Sequence, residues 1–469
     1  MNQYSPFEKG FEEITIEDLE VLREVNEGWY IEYKQAVPKS TAIAKSISAF
    51  ANSYGGWIFY GIKELSKENS VAGDFLGIEA SELDAALQRI RQAVANISPA
   101  CHFETRTLNG PCESIGLQGG RAILCVVVPQ SIEAPHVHSG GYIYRRVSDG
   151  SEPLPETDRS IIEKLFERSK KVVSNFKKWH DKDPEFSKAE SKAPFLRIMI
   201  APNLWGIPRS NFQFKLKTVK EVLGAKEATT ICLPFDTIYS RPGGFIARQC
   251  LNNDPTQLST TWDLESDLTS DITVPLSFRE GKIYEIQNYL ASYSNCEKFI
   301  QKLANSQIHQ TRVVDLNVIH QVLIGIIQAQ RELQQRAEWP LNFHIKIKLL
   351  NVWRTIPFLD TDFFMRNIDQ NGIPMCLTNN VTSPQGYHPE TFFKVKEYRT
   401  DDMNDAVDVA LQAMSSFIPI ATAYGIPLLD IMSDEPATET GREREDFYQQ
   451  LMDASRRAME AQHLRTGKK

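Results

Sequence analysis

Between Thr41 and Glu64 the chain changes its period. Apolar residues recur at helical spacing through Ile43, Ile47, Phe50 and Ala51, with Ser40 or Thr41 placed to cap the helix. Gly55 and Gly56 then end it, and Trp57–Ile62 reads Trp-Ile-Phe-Tyr-Gly-Ile, an aromatic and β-branched strand. A strand needs neighbours to pair with, and the helix needs a sheet face to cover. The flanking pattern supplies both. Glu17–Val25 reads as a short helix and Trp29–Lys34 as a strand. Leu83, Leu87, Ile90, Val94 and Ile97 mark an amphipathic helix, and Ala122–Val128 and Tyr142–Val147 two further strands. The expectation is an α+β layer domain with a mixed sheet.

At 469 residues the chain is too long for one ordinary core, and two to three domains are expected. The polar stretch 177–194 reads as a linker. We therefore divide the sequence into an N-terminal domain (1–160), a basic helix and linker (161–194), a second α/β domain (195–432) and a charged C-terminal tail (433–469). In the second domain Leu196–Ala201, Thr229–Leu233 and Ile272–Phe278 look like strands. Leu316, Ile319, Leu323, Ile326 and Leu333 mark a long helix. Asn342–Leu350 alternates as a half-exposed strand, and Ala406–Tyr424 reads as a final helix. In the tail, residues 441–463 suit a surface helix or a segment that folds against a partner.

No run approaches the ~18–20 uncharged apolar residues of a membrane span, and the acidic, polar N-terminus is unlike a signal peptide. Seven scattered cysteines without a CxxC pair argue against a disulfide framework or structural zinc. The expected location is cytoplasmic. Net charge is −8, and all of it lies before residue 161. A protein that coats nucleic acid is usually basic, so any polyanion contact must come from local patches. One candidate is 164–178, which gathers Lys164, Arg168, Lys170, Lys171, Lys177 and Lys178 against Glu167 alone.

The segment richest in chemistry is Glu27-Gly-Trp-Tyr-Ile-Glu-Tyr-Lys34. On a strand, Glu32 and Lys34 share one face with Tyr30, while Trp29, Ile31 and Tyr33 take the other. Glu27 falls on the opposite face of an unbroken strand, but Gly28 permits a bend that returns it to the site. The next strand leads to Glu64. Three carboxylates and a lysine then converge at a sheet edge. Such a set suits Mg²⁺ or Mn²⁺, because hard cations take oxygen ligands. A bound ion activates water and neutralises phosphodiester charge, and the lysine holds the phosphate.

Glu32-Tyr-Lys34, then Ser48-Ala-Phe-Ala-Asn-Ser-Tyr-Gly-Gly-Trp-Ile-Phe-Tyr-Gly-Ile-Lys-Glu64, then Ala134-Pro-His136 and Tyr142-Ile-Tyr-Arg145, occur in one order. This resembles the Schlafen family, with its AlbA-like domain, over about residues 14–157, in the manner of a prokaryotic single-lobe member. The resemblance implies an α+β fold that binds nucleic acid and, in some members, cuts tRNA or rRNA with a metal-dependent carboxylate triad. It places Glu27, Glu32 and Glu64 as ion ligands and Lys34 beside them. Two departures stand out: Glu64 replaces the expected Asp, and Lys63 stands where another acid is common.

Asn52 is expected to bond backbone near the helix end, and the glycines to serve the turn. His136 and His138 have metal-ligand chemistry, but loop histidines more often bond backbone, and that is the expectation. Arg145 and Arg146 alternate on their strand, so one faces out; with Tyr142 or Tyr144 they are candidates to grip phosphate and stack on a base. No GxxxxGK[ST] occurs, so no ATP-binding P-loop is expected. Two functions follow. One is a metal-dependent endoribonuclease acting on tRNA-like RNA in preference to DNA, by analogy in antiviral defence or stress. The other is a DNA- or RNA-binding regulator whose second domain senses a ligand or partner. With one lobe in the chain, a homodimer is expected to supply a second.

Overall fold

The computed structural model describes residues 4–7, 9–66, 68–147, 152–188, 190–202, 214–224, 235–249, 254, 256, 258–398, 405–432 and 439–466. The chain divides into two compact units, the first within residues 1–179 and the second in 180–202 and 213–469. The expected strand Thr229–Leu233 lies outside the described residues.

Unit 1 is built on β1 (Ile31–Lys34), α1 (Ser40–Asn52) and β2 (Gly56–Tyr60). β1 and β2 run parallel, with Glu32 opposite Ile58 and Lys34 opposite Tyr60. A parallel pair needs a crossover, and α1 supplies it. Gly55 adopts φ +78°, and a Cβ on Gly56 would collide with the Phe50 ring and the Tyr30 carbonyl. The double glycine thus lets strand and helix touch.

β3 (Ile62–Glu64) and β4 (Ala72–Phe75) form a hairpin, followed by β5 (Ile78–Glu79), α2 (Leu83–Ala93) and β6 (Ile97–Ser98). β7 (Glu104–Asn109) and β8 (Arg121–Val128) complete the five-stranded sheet, ordered β1-β2-β8-β5 with β7 on β8. α1 and α2 cover one face over Ile47, Phe50, Ile58, Ile90 and Val126. Leu19, Leu22, Ile31, Tyr33 and Phe59 fill the other. Short strands β9 (Val137–His138), β10 (Tyr144–Arg145) and β11 (Leu154–Pro155) follow, then α3 (Arg159–Asp181). The expected strand Tyr142–Val147 shrinks to two residues, paired with β11.

Unit 2 holds β12 (Phe195–Ala201), α4 (Leu216–Leu223), β13 (Thr237–Arg241), β14 (Gly244–Arg248), β15 (Thr261–Glu265), β16 (Ser270–Pro275) and β17 (Phe278–Lys282). There follow α5 (Ile283–Leu290), α6 (Cys296–Asn305), β18 (Gln310–Asp315), α7 (Asn317–Arg336), β19 (Phe343–Leu350), β20 (Thr355–Phe358) and α8 (Asp362–Asn371). β21 (Val381–Ser383), β22 (Phe393–Val395), α9 (Asp405–Ala423) and α10 (Glu439–Thr466) end it. The main sheet is antiparallel, ordered β13-β14-β15-β16-β12-β19-β21 with β22 on β19; β17-β18-β20 forms a smaller one. Helices and strands mix in both units, so the class is α+β.

Three expectations for unit 2 are corrected. β19 is not half-exposed: Lys346 is fully buried with its ammonium donating to the Pro384 carbonyl, and Lys348 reaches Asp183 at 2.7 Å. The long lysine stems lie in the protein while their heads find oxygen partners. α9 is not the final helix. α9 is also the one helix among the described residues long and apolar enough to cross a membrane. It is a core element, because its fully buried Asp408 receives Arg331 at 2.7 Å. The tail forms α10, which buries Phe447, Leu451 and Ala454 against unit 2 instead of lying free on the surface.

Candidate nucleic-acid interface

Glu32 and Lys34 share one face of β1, as the alternation requires, but that face is the one α1 covers. Glu32 is 1% exposed. Its Oε1 accepts from Ser46 Oγ at 2.8 Å and lies 3.4 Å from Lys34 Nζ, while its Oε2 pairs with Arg146 at 3.0 Å. Arg146, itself fully buried, also donates to the carbonyls of Gly28 (2.9 Å) and Ile31 (3.3 Å) and lies 4.7 Å over the Phe50 ring. Two buried charges are tolerated because each is paired and hydrogen-bonded.

Gly28 bends the chain as expected, and the bend turns Glu27 inward. Its Oε1 accepts the Tyr33 backbone N–H, the donor on the outer edge of β1. Its Oε2 is buried and has no hydrogen-bond partner among the described residues. Burial pushes the Glu27 carboxyl up to about 7, with the Tyr33 N–H and Lys34 opposing and Glu64 and Glu32 adding to the rise. At Lys34, burial works against the charge but is outweighed by Glu32, Glu27 and Glu152, so the ammonium is held above its ordinary value.

Glu64 comes from the neighbouring hairpin, and its charge is felt at Glu27 ahead of that of Glu32. Gly61, at φ +98°, breaks the strand after Tyr60, and a register shift between Lys63 and Glu64 carries the acid into the β3–β4 hairpin. Among the described residues no group of three or more His, Cys, Asp or Glu is arranged to hold a metal ion. With both Glu32 oxygens committed to Ser46, Lys34 and Arg146, the donor set expected for Mg²⁺ or Mn²⁺ does not fit an ion in this arrangement.

Residues 27–155 match the family model described as Schlafen, AlbA_2. The chain carries a Schlafen AlbA_2 domain. That domain places the protein in a nucleic-acid-related class. No curated protein matches the chain. Among solved structures it is similar to the crystal structure of the DIP2311 protein from Corynebacterium diphtheriae, at 15% identity over 35% of this chain and 26% of that one, with a TM-score of 0.18. A likeness at that level carries no argument.

Within the Schlafen AlbA_2 domain the remaining candidates separate by exposure. Arg146 is not a nucleic-acid contact: it is the buried partner of Glu32. Arg145 is the more accessible of the two, yet it is paired with Glu156 at 2.6 Å. Tyr144 is half-buried, with Lys45 Nζ 5.4 Å from its ring centre and the rings of His138 and Tyr142 at 5.4 and 5.9 Å. Lys45 in turn lies 3.1 Å from Glu152. The histidines bond backbone, as expected. His136 Nδ1 faces the Pro99 carbonyl at 2.7 Å, and His138 Nε2 the Thr41 carbonyl at 3.0 Å. Asn52 likewise ties α1 to the β9–β10 segment through the backbone of His136 and Tyr144. Sequence reasoning missed Lys45 and Ser46. A serine inside the apolar stripe of α1 was the available signal, because a buried hydroxyl needs a partner.

Proposed function

We propose that the Schlafen AlbA_2 domain binds nucleic acid without cutting it, through the face that carries Lys34, Lys45, Tyr142 and Tyr144, and that unit 2 senses a ligand or partner. The observation that carries this reading is the capture of Glu32 by Arg146. A carboxylate neutralised by a buried guanidinium is withdrawn from metal chemistry, and it no longer repels a polyanion at that face. Lysine beside tyrosine is the pairing that holds phosphate and stacks on bases. tRNA-like RNA is the preferred ligand, and a second copy of the chain supplies the second lobe.

Fluorescence anisotropy with tRNA and with duplex DNA, at two salt concentrations, tests this. Binding is expected to weaken with salt, and Lys45→Ala to reduce the salt slope by about one. No binding to either ligand at low salt refutes it. Light scattering with and without tRNA tests the dimer.

One observation favours the second reading, a metal-dependent endoribonuclease: the unpartnered Glu27 Oε2, poised near neutrality beside Lys34. That reading requires Arg146 to release Glu32. Incubation of total tRNA with Mn²⁺ decides it. Cleavage that is lost with EDTA and in Glu27→Gln would establish the nuclease and overturn the binding-only proposal.

A further inference from the structure

The turn after α1 exposes an aromatic ring on an unusually well-anchored support. Tyr54, at its tip, is 48% exposed. The residue before it, Ser53, is buried and bonded through every backbone and side-chain polar group. Its N–H donates to Ala49 O at 3.1 Å, its Oγ accepts the Arg146 N–H at 2.9 Å, and its carbonyl accepts from Gln130 Nε2 at 2.7 Å. Gly55 N–H donates to Phe50 O at 3.0 Å. Such a turn cannot fold its tyrosine away. The rings of Trp29 and Tyr30, on the Gly28 bend, stand 5.6 and 6.3 Å from Tyr54 and support it from one side.

Cationic side chains lie beside this ring. Arg168 of α3 anchors to the Ser131 carbonyl at 3.4 Å and has no carboxylate partner among the described residues. Burial lowers its pKa, the Arg145 cation lowers it further, and only Tyr54 opposes. Lys164 and Lys171 sit one helical turn to either side of it and are exposed.

We propose that Tyr54, backed by Trp29 and Tyr30, is a stacking platform for an unpaired base of a single-stranded nucleic-acid segment, with Arg168 and Lys171 taking the adjoining phosphates. An apolar partner would gain from the ring but not from uncompensated cations beside it. A nucleic acid uses both. The inference rests on the nucleic-acid reading and deepens it, naming single-stranded segments as what this part of the domain takes.

The test is anisotropy of the full chain with a labelled single-stranded oligo(U) of about twelve nucleotides and with a duplex of equal length. Tyr54→Ala is expected to lose roughly tenfold affinity for the single strand while duplex affinity is unchanged, and Tyr54→Phe to retain both. Lys171→Glu, at an exposed position that cannot unfold the domain, is expected to weaken single-strand binding also. Unchanged single-strand affinity in Tyr54→Ala overturns the proposal and leaves the ring to a protein contact. Equal losses for both ligands overturn it too. A wild-type chain that binds duplex but not oligo(U) overturns this inference alone, whereas one that binds no nucleic acid overturns the reading beneath it.

Discussion

Arg146→Ala probes the centre of the Schlafen AlbA_2 domain most directly. The side chain is fully buried and holds three things at once: the Glu32 carboxylate, two carbonyls of the Gly28–Ile31 bend, and the Phe50 ring. Removing it leaves a buried carboxylate short of its main cation and takes a donor from each of two carbonyls, of which Ile31 keeps the Gly28 N–H at 3.1 Å. Breaking a buried pair by deleting one partner costs about 3–5 kcal/mol. Lys34, 3.4 Å from Glu32, stays in place and can neutralise part of the charge, which puts the expectation at the lower end, about 3 kcal/mol. Glu32→Gln keeps a hydrogen-bonding side chain beside Ser46 and leaves Arg146 its carbonyls, so about 1–2 kcal/mol is expected there. Urea unfolding of the full chain, followed by tryptophan fluorescence from unit 1, gives both values. A loss below about 1 kcal/mol for Arg146→Ala, or a larger loss for Glu32→Gln, would refute the assignment of this arginine as the structural lock on Glu32.

Two buried groups give opposite pH dependences. Glu27 has a folded pKa of about 7 against an ordinary 4.5. A raised carboxyl contributes stability below pH 4.5 and loses it as pH climbs to 7, on the order of 3 kcal/mol; Glu27→Gln should flatten that slope in unit 1. His320, fully buried with neither ring nitrogen bonded among the described residues, is pushed down by burial to about 4 from 6.5. Its contribution is present above pH 6.5 and is lost as pH falls to 4, again on the order of 3 kcal/mol; His320→Phe should protect unit 2 at acid pH, as read by unfolding at pH 4.5 and 7. Mn²⁺ titrated into the wild-type chain should leave the melting temperature unchanged, while a saturable rise that disappears in Glu32→Gln would restore the metal site. Loss of Phe447 from α10, as Phe447→Ala, should cost about 3–5 kcal/mol in unit 2, and a change below 1 kcal/mol in the same unfolding assay would mean the tail does not dock.

The elements around the double glycine were legible because local rules and tertiary packing agree there. Helical spacing in α1, the glycine stop and the aromatic strand all point one way, and Asn52 behaves as a helix-end amide should. What could not be read was that both faces of β1 are covered. Alternation fixes that Glu32 and Lys34 share a side, but not that α1 roofs it, and the roof turns a surface acid into a core one. Arg146, 114 residues away in sequence from Glu32, has no local signature that separates it from Arg145. The same blindness to the far layer made Lys346 and Lys348 look exposed, because a lysine's spacing cannot reveal carbonyls and carboxylates brought over it by distant segments. Glu64 lay beyond the reach of simple alternation, because Gly61, with its left-handed torsion, interrupts the strand between Tyr60 and Ile62.

The outer margin of β1 has a consequence for assembly. Its Tyr33 amide is spent on Glu27 and the Gly28 and Ile31 oxygens on Arg146, so the ribbon is stoppered from within. An incoming chain finds those three groups already taken and unable to add to a ladder. Two copies that meet along this margin must therefore do so through side chains, a union that yields to salt and to single substitutions as a continuous backbone seam would not.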